Sequence, residues 1–166
     1  MIFTDEVKNM EELLPYISEY KSLGKVKVAV ICFLFDKSGD LILQRRGPGA
    51  RDEVGMLEAI GGSVNGTDAD FRAALERELV EEAGKNAKIE IGDFIGAQID
   101  GKTDRNSGEF VNWIILGYKG KLVSGELYNA EPDRCIGFEK NKMDKFPANE
   151  VATTCLNFIK IMLNNK

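Results

Sequence analysis

Residues 61–84 read GGSVNGTDADFRAALERELVEEAG, a pair of glycines followed by a helical pattern rich in glutamate. From Asp68 to Ala83, apolar residues recur at steps of three and four positions, which predicts an amphipathic helix. These apolar positions are Phe71, Ala74, Leu75, Leu79 and Ala83. Thr67 or Asp68 is expected to cap the start of this helix, and Gly84 is expected to end it.

Three carboxylates of this helix stand at i, i+3 and i+4: Glu78, Glu81 and Glu82. At about 3.6 residues per turn they share one face, which we expect to lie opposite Leu75 and Leu79. Like charges at this spacing repel one another, and a hard divalent cation bound by oxygens would turn that repulsion into a site. Glutamate-rich helices that are merely solvated are also common, so the helix alone leaves both interpretations open.

The sequence around this helix predicts strands and two further helices. Residues 25–35 (KVKVAVICFLF) are apolar on both faces of a strand, which favours a central position in a sheet. The other predicted strands cover 41–46, 57–60, 87–100, 110–118 and 135–140, and the other helices cover 5–22 and the segment that begins at Pro147. This order of elements is typical of an α+β fold with helices on both faces of a mixed sheet.

Composition excludes several classes of function. The chain has 166 residues, a length that suits one domain, and its 27 acidic and 22 basic side chains give a net charge of −5. That charge disfavours duplex DNA and anionic membranes as partners. Histidine is absent from the sequence, so the chain itself cannot supply a Ser-His-Asp triad, a Cys-His pair or a His-ligated zinc. Acid–base chemistry is left to carboxylates, Lys, Tyr, Cys or water activated by a metal.

The cysteines and the N-terminal sequence predict a cytoplasmic protein. Cys32, Cys135 and Cys155 form no CxxC pair and are expected to be buried reduced thiols. The first residues are acidic where a signal peptide needs basic ones. The longest apolar run, 28–35, is far shorter than the roughly 20 residues that span a bilayer.

Residues 62–84 resemble the box of the Nudix (MutT-like) hydrolase family: Gly, five residues, Glu, seven residues, then Arg-Glu-apolar-x-Glu-Glu-x-Gly-apolar. The second half matches in Arg77, Glu78, Leu79, Glu81, Glu82 and Gly84. Gly62 supplies the first glycine. Either Asp68 replaces the first glutamate, with one extra residue before Arg77, or that glutamate is missing, since counting back from Arg77 leads to Ala69. The flanks at 41–46, 55–62 and 131–139 also resemble family segments, so that about residues 24–164 fit.

The resemblance implies a fold and a domain plan. The fold is a Nudix-type α/β/α sandwich, which is an α+β arrangement with a mixed β-sheet and helices on both faces. Residues 1–166 would form a single domain, in which 1–23 are an N-terminal helical extension, 24–164 the core and 62–84 the box.

The resemblance also implies an activity and a metal. Family members mostly hydrolyse a nucleoside diphosphate linked to another group, such as a nucleoside triphosphate or ADP-ribose, with Mg²⁺ or Mn²⁺. The implied metal ligands are Gly61, Glu78, Glu81 and Glu82. The expected partner is a small nucleotide-derived diphosphate, and neither a nucleic acid polymer nor a membrane; a homodimer is left open.

The expected catalytic residues are Glu78, Arg77 and Glu131. Arg77 could orient a neighbouring carboxylate by a bidentate pair. Without histidine, the general base should be a carboxylate, either Glu78 or a loop residue. Glu131 is the best loop candidate, and Asp133 and Glu109 are alternatives.

The expected substrate-binding residues are Arg45, Arg46 and Phe138. Arg45 and Arg46 end a strand, where alternation turns one to each side of the sheet, and one of them could clamp a distal phosphate. Phe138 could stack on a base, whereas Trp113, deep in an apolar strand, is predicted to pack in the core.

Two other functions compete with hydrolysis. The irregular first half of the box is compatible with a non-catalytic, nucleotide-binding or regulatory Nudix-fold domain. The related isopentenyl-diphosphate isomerases rely on histidine metal ligands, which this chain lacks.

Overall fold

Strand β1 (Val26–Phe35) is the centre of the sheet, as its apolar sequence predicts. The computed structural model describes residues 1–165. Successive side chains of β1 enter two different cores: Val30 and Cys32 pack on one face, and Ile31 and Phe33 pack on the other. A strand that is apolar on both faces must be covered on both faces, and this requirement sets the layered architecture.

Residues 1–165 contain three α-helices and seven strands. The helices are α1 (Met10–Lys21), α2 (Phe71–Ala83) and α3 (Thr153–Asn164), with a short 3₁₀ turn at Met143–Lys145. The strands after β1 are β2 (Leu41–Arg46), β3 (Leu57–Glu58), β4 (Ile60–Ser63), β5 (Lys88–Thr103), β6 (Phe110–Ser124) and β7 (Cys135–Asn141).

The sheet is mixed, and its order brings the glycine strand β4 beside the centre. The main path is β3-β2-β1-β6-β5, while β4 pairs with β1 and β7 pairs with β2. The β1–β6 pair is parallel, and the other pairs are antiparallel. Helices α1 and α2 cover one face, and α3 covers the other. The predicted α+β fold with helices on both faces is therefore confirmed.

Several element boundaries differ from the predicted ones. Helix α2 begins at Phe71, because the side chain of Asp70 caps it by accepting a hydrogen bond from the Ala73 amide at 2.8 Å. Neither expected cap, Thr67 or Asp68, has this role, and Asp68 instead binds an arginine of the same helix. Strands β5 and β6 are longer than predicted: β5 continues to Thr103 opposite Phe110, and β6 continues to Ser124 opposite Lys88, with register shifts between 88 and 96. Helix α3 begins at Thr153 rather than at Pro147.

The three cysteines are buried and free, as the sequence predicts. None of the helices in residues 1–165 has the length and the apolar character needed to cross a membrane.

The contact between β6 and α3 gives a first testable prediction. A Cβ atom at Gly117 would lie 2.7 Å from the ring of Phe158, which is fully buried against Phe33. We expect Gly117→Ala to destabilise the protein by about 1–3 kcal/mol, because the ring has no space into which it can move. Thermal unfolding measures this, with Gly66→Ala as the matched control, since a Cβ there meets no atom within 4 Å. Equal unfolding midpoints for the two variants would contradict the prediction.

Candidate active site

Helix α2 lies unusually close to β4 because β4 carries two glycines. A Cβ atom at Gly62 would overlap the carboxylate of Glu78. Glu78 and Glu82 are consequently buried, with relative exposures of 7% and 6%, on the same side of the helix as Leu79. The predicted placement of these acids opposite the leucines is wrong, since the bare β4 backbone admits carboxylates to the sheet-facing side.

The carboxylate of Glu82 is held by neutral donors. Its Oε2 accepts hydrogen bonds from the Gly61 amide at 2.9 Å and from Nε2 of Gln44 at 2.8 Å. No lysine or arginine in the described part of the chain forms a salt bridge with it. Burial raises the pKa of Glu82 to about 8, and the neighbouring charge of Glu58 contributes to the shift. The site thus contains a buried acid that has no positive partner from this chain.

Arg77 organises the outer side of the same helix. Its guanidinium binds both carboxylate oxygens of Asp68, at 3.0 and 2.9 Å, and the carbonyl of Ser63 at 2.9 Å. It also donates to Glu78 at 2.7 Å and to Glu81 at 3.3 Å. These contacts tie Arg77 to the segment before α2 through Asp68 and Ser63, and to Glu78 on its own helix.

The three predicted carboxylate ligands are not brought together. The side chain of Glu81 is 49% exposed and turns outwards to Arg77, whereas Glu78 and Glu82 face β4. Within residues 1–165, no three acidic or cysteine side chains form a metal-ligating group. The sequence spacing placed the residues on neighbouring turns, but tertiary packing on β4 separates the inner pair from the outer one.

A pocket opens beside Glu82 and extends to Thr154 and Cys155 at the start of α3. Its floor is formed by Ala29, Ile31 and Ile115, and Gly61, Gly62 and Glu58 line the wall near Glu82. Trp113 lines the pocket as well, with the guanidinium carbon of Arg51 4.4 Å from its ring centroid. The core position predicted for Trp113 is therefore wrong: its strand is apolar, but this face of β6 is only partly covered by α3.

The two strand-end arginines have different surroundings. Arg46 lines the pocket, where it binds Asp52 at 2.6 Å and also pairs with Glu58. Arg45 points to the other side of β2 and binds Glu139 at 2.6 Å and Glu150 at 2.8 Å. Alternation along the strand thus separates them, as predicted, and the pocket does not include Arg45.

The remaining predicted residues lie outside the pocket lining. Phe138, on β7, packs against the apolar core under α1 and α2. Glu131 is in the loop before β7, with its carboxylate 3.6 Å from Arg134. Of the alternative bases, Glu109 pairs with Lys25 at 2.9 Å, and Asp133 accepts a hydrogen bond from the Gly49 amide through its backbone carbonyl.

The donor set at Glu82 fits a hard divalent cation. The candidate ligands are oxygens, since the chain has no histidine and the buried thiol of Cys155, which also lines the pocket, accepts a hydrogen bond from the Ala59 amide. Two buried carboxylates, Glu78 and Glu82, flank the Gly61-Gly62 backbone, with a third acid, Glu58, nearby. Arg77 pairs with Glu78 and Arg46 pairs with Glu58, so within residues 1–165 Glu82 is the member of this cluster without a positive partner.

Two residues beside Glu82, Gln44 and Glu58, were not predicted from the sequence. Gln44 is 2% exposed and links Glu82 with Glu58, to which Nε2 also donates at 3.3 Å. Glu58 precedes the glycines by three positions. A polar residue inside the apolar strand LILQRR is the one signal that could have identified Gln44, because a buried amide needs partners.

The glycine contact gives a second prediction. In Gly62→Ala the added methyl group would displace the flexible end of Glu78 rather than backbone. We expect kcat of the hydrolysis that the Nudix resemblance implies to fall about 10–100-fold, with a change in unfolding free energy below about 1 kcal/mol. Steady-state kinetics and thermal unfolding measure the two effects, again against Gly66→Ala. An unchanged kcat would show that catalysis does not depend on the position of the Glu78 carboxylate.

Comparisons with known proteins agree with this geometry. A family model described as the NUDIX domain matches residues 25–157. A MutT NUDIX hydrolase from Burkholderia pseudomallei is 22% identical with a TM-score of 0.63, covering 82% of this chain and 98% of that chain. A MutT protein from Methanosarcina mazei is 20% identical with a TM-score of 0.66, covering 86% and 96%. The E. coli ORF135 protein is 18% identical with a TM-score of 0.62, covering 86% and 92%. A search of curated proteins found no match.

Proposed function

Because this chain belongs to the NUDIX family of pyrophosphohydrolases, we propose that it hydrolyses a nucleoside diphosphate linked to another group, with Mg²⁺ as the cofactor and Mn²⁺ as a substitute. The bond that breaks is a diphosphate linkage in a small nucleotide, such as a nucleoside triphosphate or a nucleotide sugar. The observation that carries this proposal is the buried carboxylate of Glu82 beside Gly61, at the wall of a pocket and without a cation from the chain.

We propose that Glu78, Glu82 and the backbone of Gly61 hold the cation. Glu81 is exposed, so rotation of its side chain away from Arg77 would add another oxygen. A bound divalent cation would reduce the charge of the diphosphate and lower the pKa of the attacking water. This chain contributes the ligands, their orientation by Arg77 and Gln44, and a pocket for the remainder of the substrate.

The proton of the attacking water needs an acceptor, and we retain the two candidates Glu78 and Glu131. Neither carboxylate lines the pocket itself: Glu78 lies against Gly62, and Glu131 lies 3.6 Å from Arg134, both of which line it. The pH–rate profiles of Glu78→Gln and Glu131→Gln decide between them: a general base acts only when ionised, so the base is the residue whose loss removes the acidic limb of the profile.

The proposed function is tested by an assay of the purified protein with a panel of nucleoside triphosphates, ADP-ribose, NADH and dinucleoside polyphosphates. We expect turnover of at least one substrate with Mg²⁺ and none in excess EDTA. Nucleotide binding without turnover at any Mg²⁺ or Mn²⁺ concentration would replace hydrolysis with the non-catalytic binding function.

We place this activity in the cytoplasm, because three buried, unpaired thiols suit a reducing compartment. Cell fractionation with an antibody to the native protein tests the location, and recovery from an oxidising compartment would contradict it.

A further inference from the structure

The pocket beside Glu82 is lined by four cationic side chains, of which two are neutralised by carboxylates. Arg46 pairs with Asp52 and Glu58. Lys102 pairs with Glu53 and, at 3.1 Å, with Asp100. These two cations serve mainly to hold the walls of the pocket together.

The other two cations, Arg51 and Arg134, are less fully neutralised. Over residues 1–165, the half-buried guanidinium of Arg51 forms no salt bridge or hydrogen bond and lies on the ring of Trp113. Asp52 and Asp104 attract it only through space. Arg134 has one ionic contact, with Glu131 at 3.6 Å, and its side chain is 51% exposed.

Backbone hydrogen bonds hold the segments that carry these two arginines next to each other. The amide of Gly47 donates to the Arg134 carbonyl at 2.6 Å, and the amide of Gly49 donates to the Asp133 carbonyl at 2.8 Å. A Cβ atom at Gly47 would lie 2.5 Å from that Asp133 carbonyl oxygen. The loop that carries Arg51 is therefore held against the segment that carries Arg134.

The consequence is an electrostatic repulsion inside the pocket. Burial lowers the pKa of Arg51, and the charge of Arg134 lowers it further. Two like charges held together without a counter-ion are destabilising, and an anion placed between them would remove the repulsion. The pocket thus has an acidic end, where Glu82 has no cationic partner among residues 1–165, and a basic end, where Arg51 has no ionic contact with them and Arg134 has only the long contact with Glu131.

We propose that Arg51 and Arg134 bind a phosphate group of the substrate beyond the two phosphates held at the Glu82 end. The inference rests on the proposed function and narrows the substrate class to nucleoside triphosphates, in preference to nucleotide sugars, which have no third phosphate. A guanidinium is suited to this role because its planar fork donates two parallel hydrogen bonds to phosphate oxygens.

Trp113 provides a direct probe of the site, because it is the only tryptophan of the chain. We expect inorganic tripolyphosphate, added in EDTA, to draw Arg51 from the ring and to change the tryptophan fluorescence with saturation. Affinity, measured in parallel by calorimetry, should fall at least about tenfold in Arg51→Gln and Arg134→Gln. Arg72→Gln, whose arginine pairs with Glu6 elsewhere, should bind like the wild type. Wild-type affinity in Arg51→Gln, or no binding to the wild type, overturns the anion site.

Kinetics test the substrate class separately. In Arg51→Gln and Arg134→Gln, kcat/KM for nucleoside triphosphates should fall about 10–100-fold, mainly through KM, while kcat/KM for ADP-ribose changes less than about threefold. Equal losses for both substrates overturn the assignment to a third phosphate. Tripolyphosphate binding that depends on both arginines, without turnover of any substrate, would preserve the anion site and refute the proposed hydrolysis.

Discussion

Glu82→Gln is expected to lower kcat by about 10²–10³-fold or more while making the protein more stable in EDTA. The carboxylate lies at the wall of the pocket, where the amide of Gly61 and Gln44 orient it. Gln accepts the same hydrogen bonds but brings no negative charge to the proposed cation, so activity is lost without loss of packing.

The gain in stability follows from the raised pKa of Glu82. In the unfolded chain this carboxyl has a pKa of 4.5, and in the folded protein burial raises it to about 8. Between these values the unfolded state releases the proton and the folded state retains it, so stability falls as pH rises from 4.5 to 8. Above pH 8 the penalty is complete, of the order of a few kcal/mol.

The measurement is thermal unfolding in EDTA at several pH values, together with kcat in Mg²⁺. Glu82→Gln should unfold at a higher temperature than the wild type at pH 8, and the difference should vanish near pH 4. The matched control is Glu76→Gln on the exposed face of the same helix, which should change neither quantity. A fully active Glu82→Gln, or one less stable than the wild type at pH 8, contradicts the assignment.

The layers of the fold were predictable because they follow from local patterns. The apolar faces of β1 and the periodicity of α2 predicted a sheet covered on both sides, and the structure has that arrangement. The local sequence did not determine which residue caps the start of α2. Asp68 and Asp70 both precede α2, and the choice of Asp70 as the cap depends on Arg77, nine residues beyond Asp68.

The candidate site was predictable only in part because its side-chain directions depend on tertiary contacts. Spacing placed Glu78, Glu81 and Glu82 close together but could not show that the first and last turn inwards, since this depends on the missing side chain at Gly62. Alternation separated Arg45 from Arg46 without showing which side of the sheet carries a pocket.

The long-range pairs were beyond sequence reasoning for a different reason. Arg51 and Arg134 are far apart in the chain and meet only because β7 pairs with β2 and brings the loop before it to residues 47–49. Hydrophobic periodicity in a short stretch of sequence holds no information about which distant residues come together in the fold.

Arg77→Ala is expected to reduce both stability and activity, because the same guanidinium contacts the loop before α2 and the carboxylate of Glu78. Its contacts with Asp68 and the Ser63 carbonyl tie the start of the glycine loop to α2. Its contact with Glu78 at 2.7 Å fixes the direction of a proposed ligand. We expect a loss of about 1.5–3 kcal/mol of unfolding free energy at pH 7, since charge-assisted hydrogen bonds are broken and Asp68, with 7% of its side chain exposed, is left unpaired.

The kinetic effect of Arg77→Ala should be a fall of about 10–100-fold in kcat for the best substrate, with a smaller change in KM. Asp68→Asn separates the two roles: it weakens the same anchor without touching Glu78, so it should lose stability and keep kcat within about threefold. Chemical denaturation and steady-state kinetics give the unfolding free energy and kcat of each of the two variants. If Asp68→Asn lost as much kcat as Arg77→Ala, the arginine would act through the loop, and its contact with Glu78 would not be what matters for catalysis.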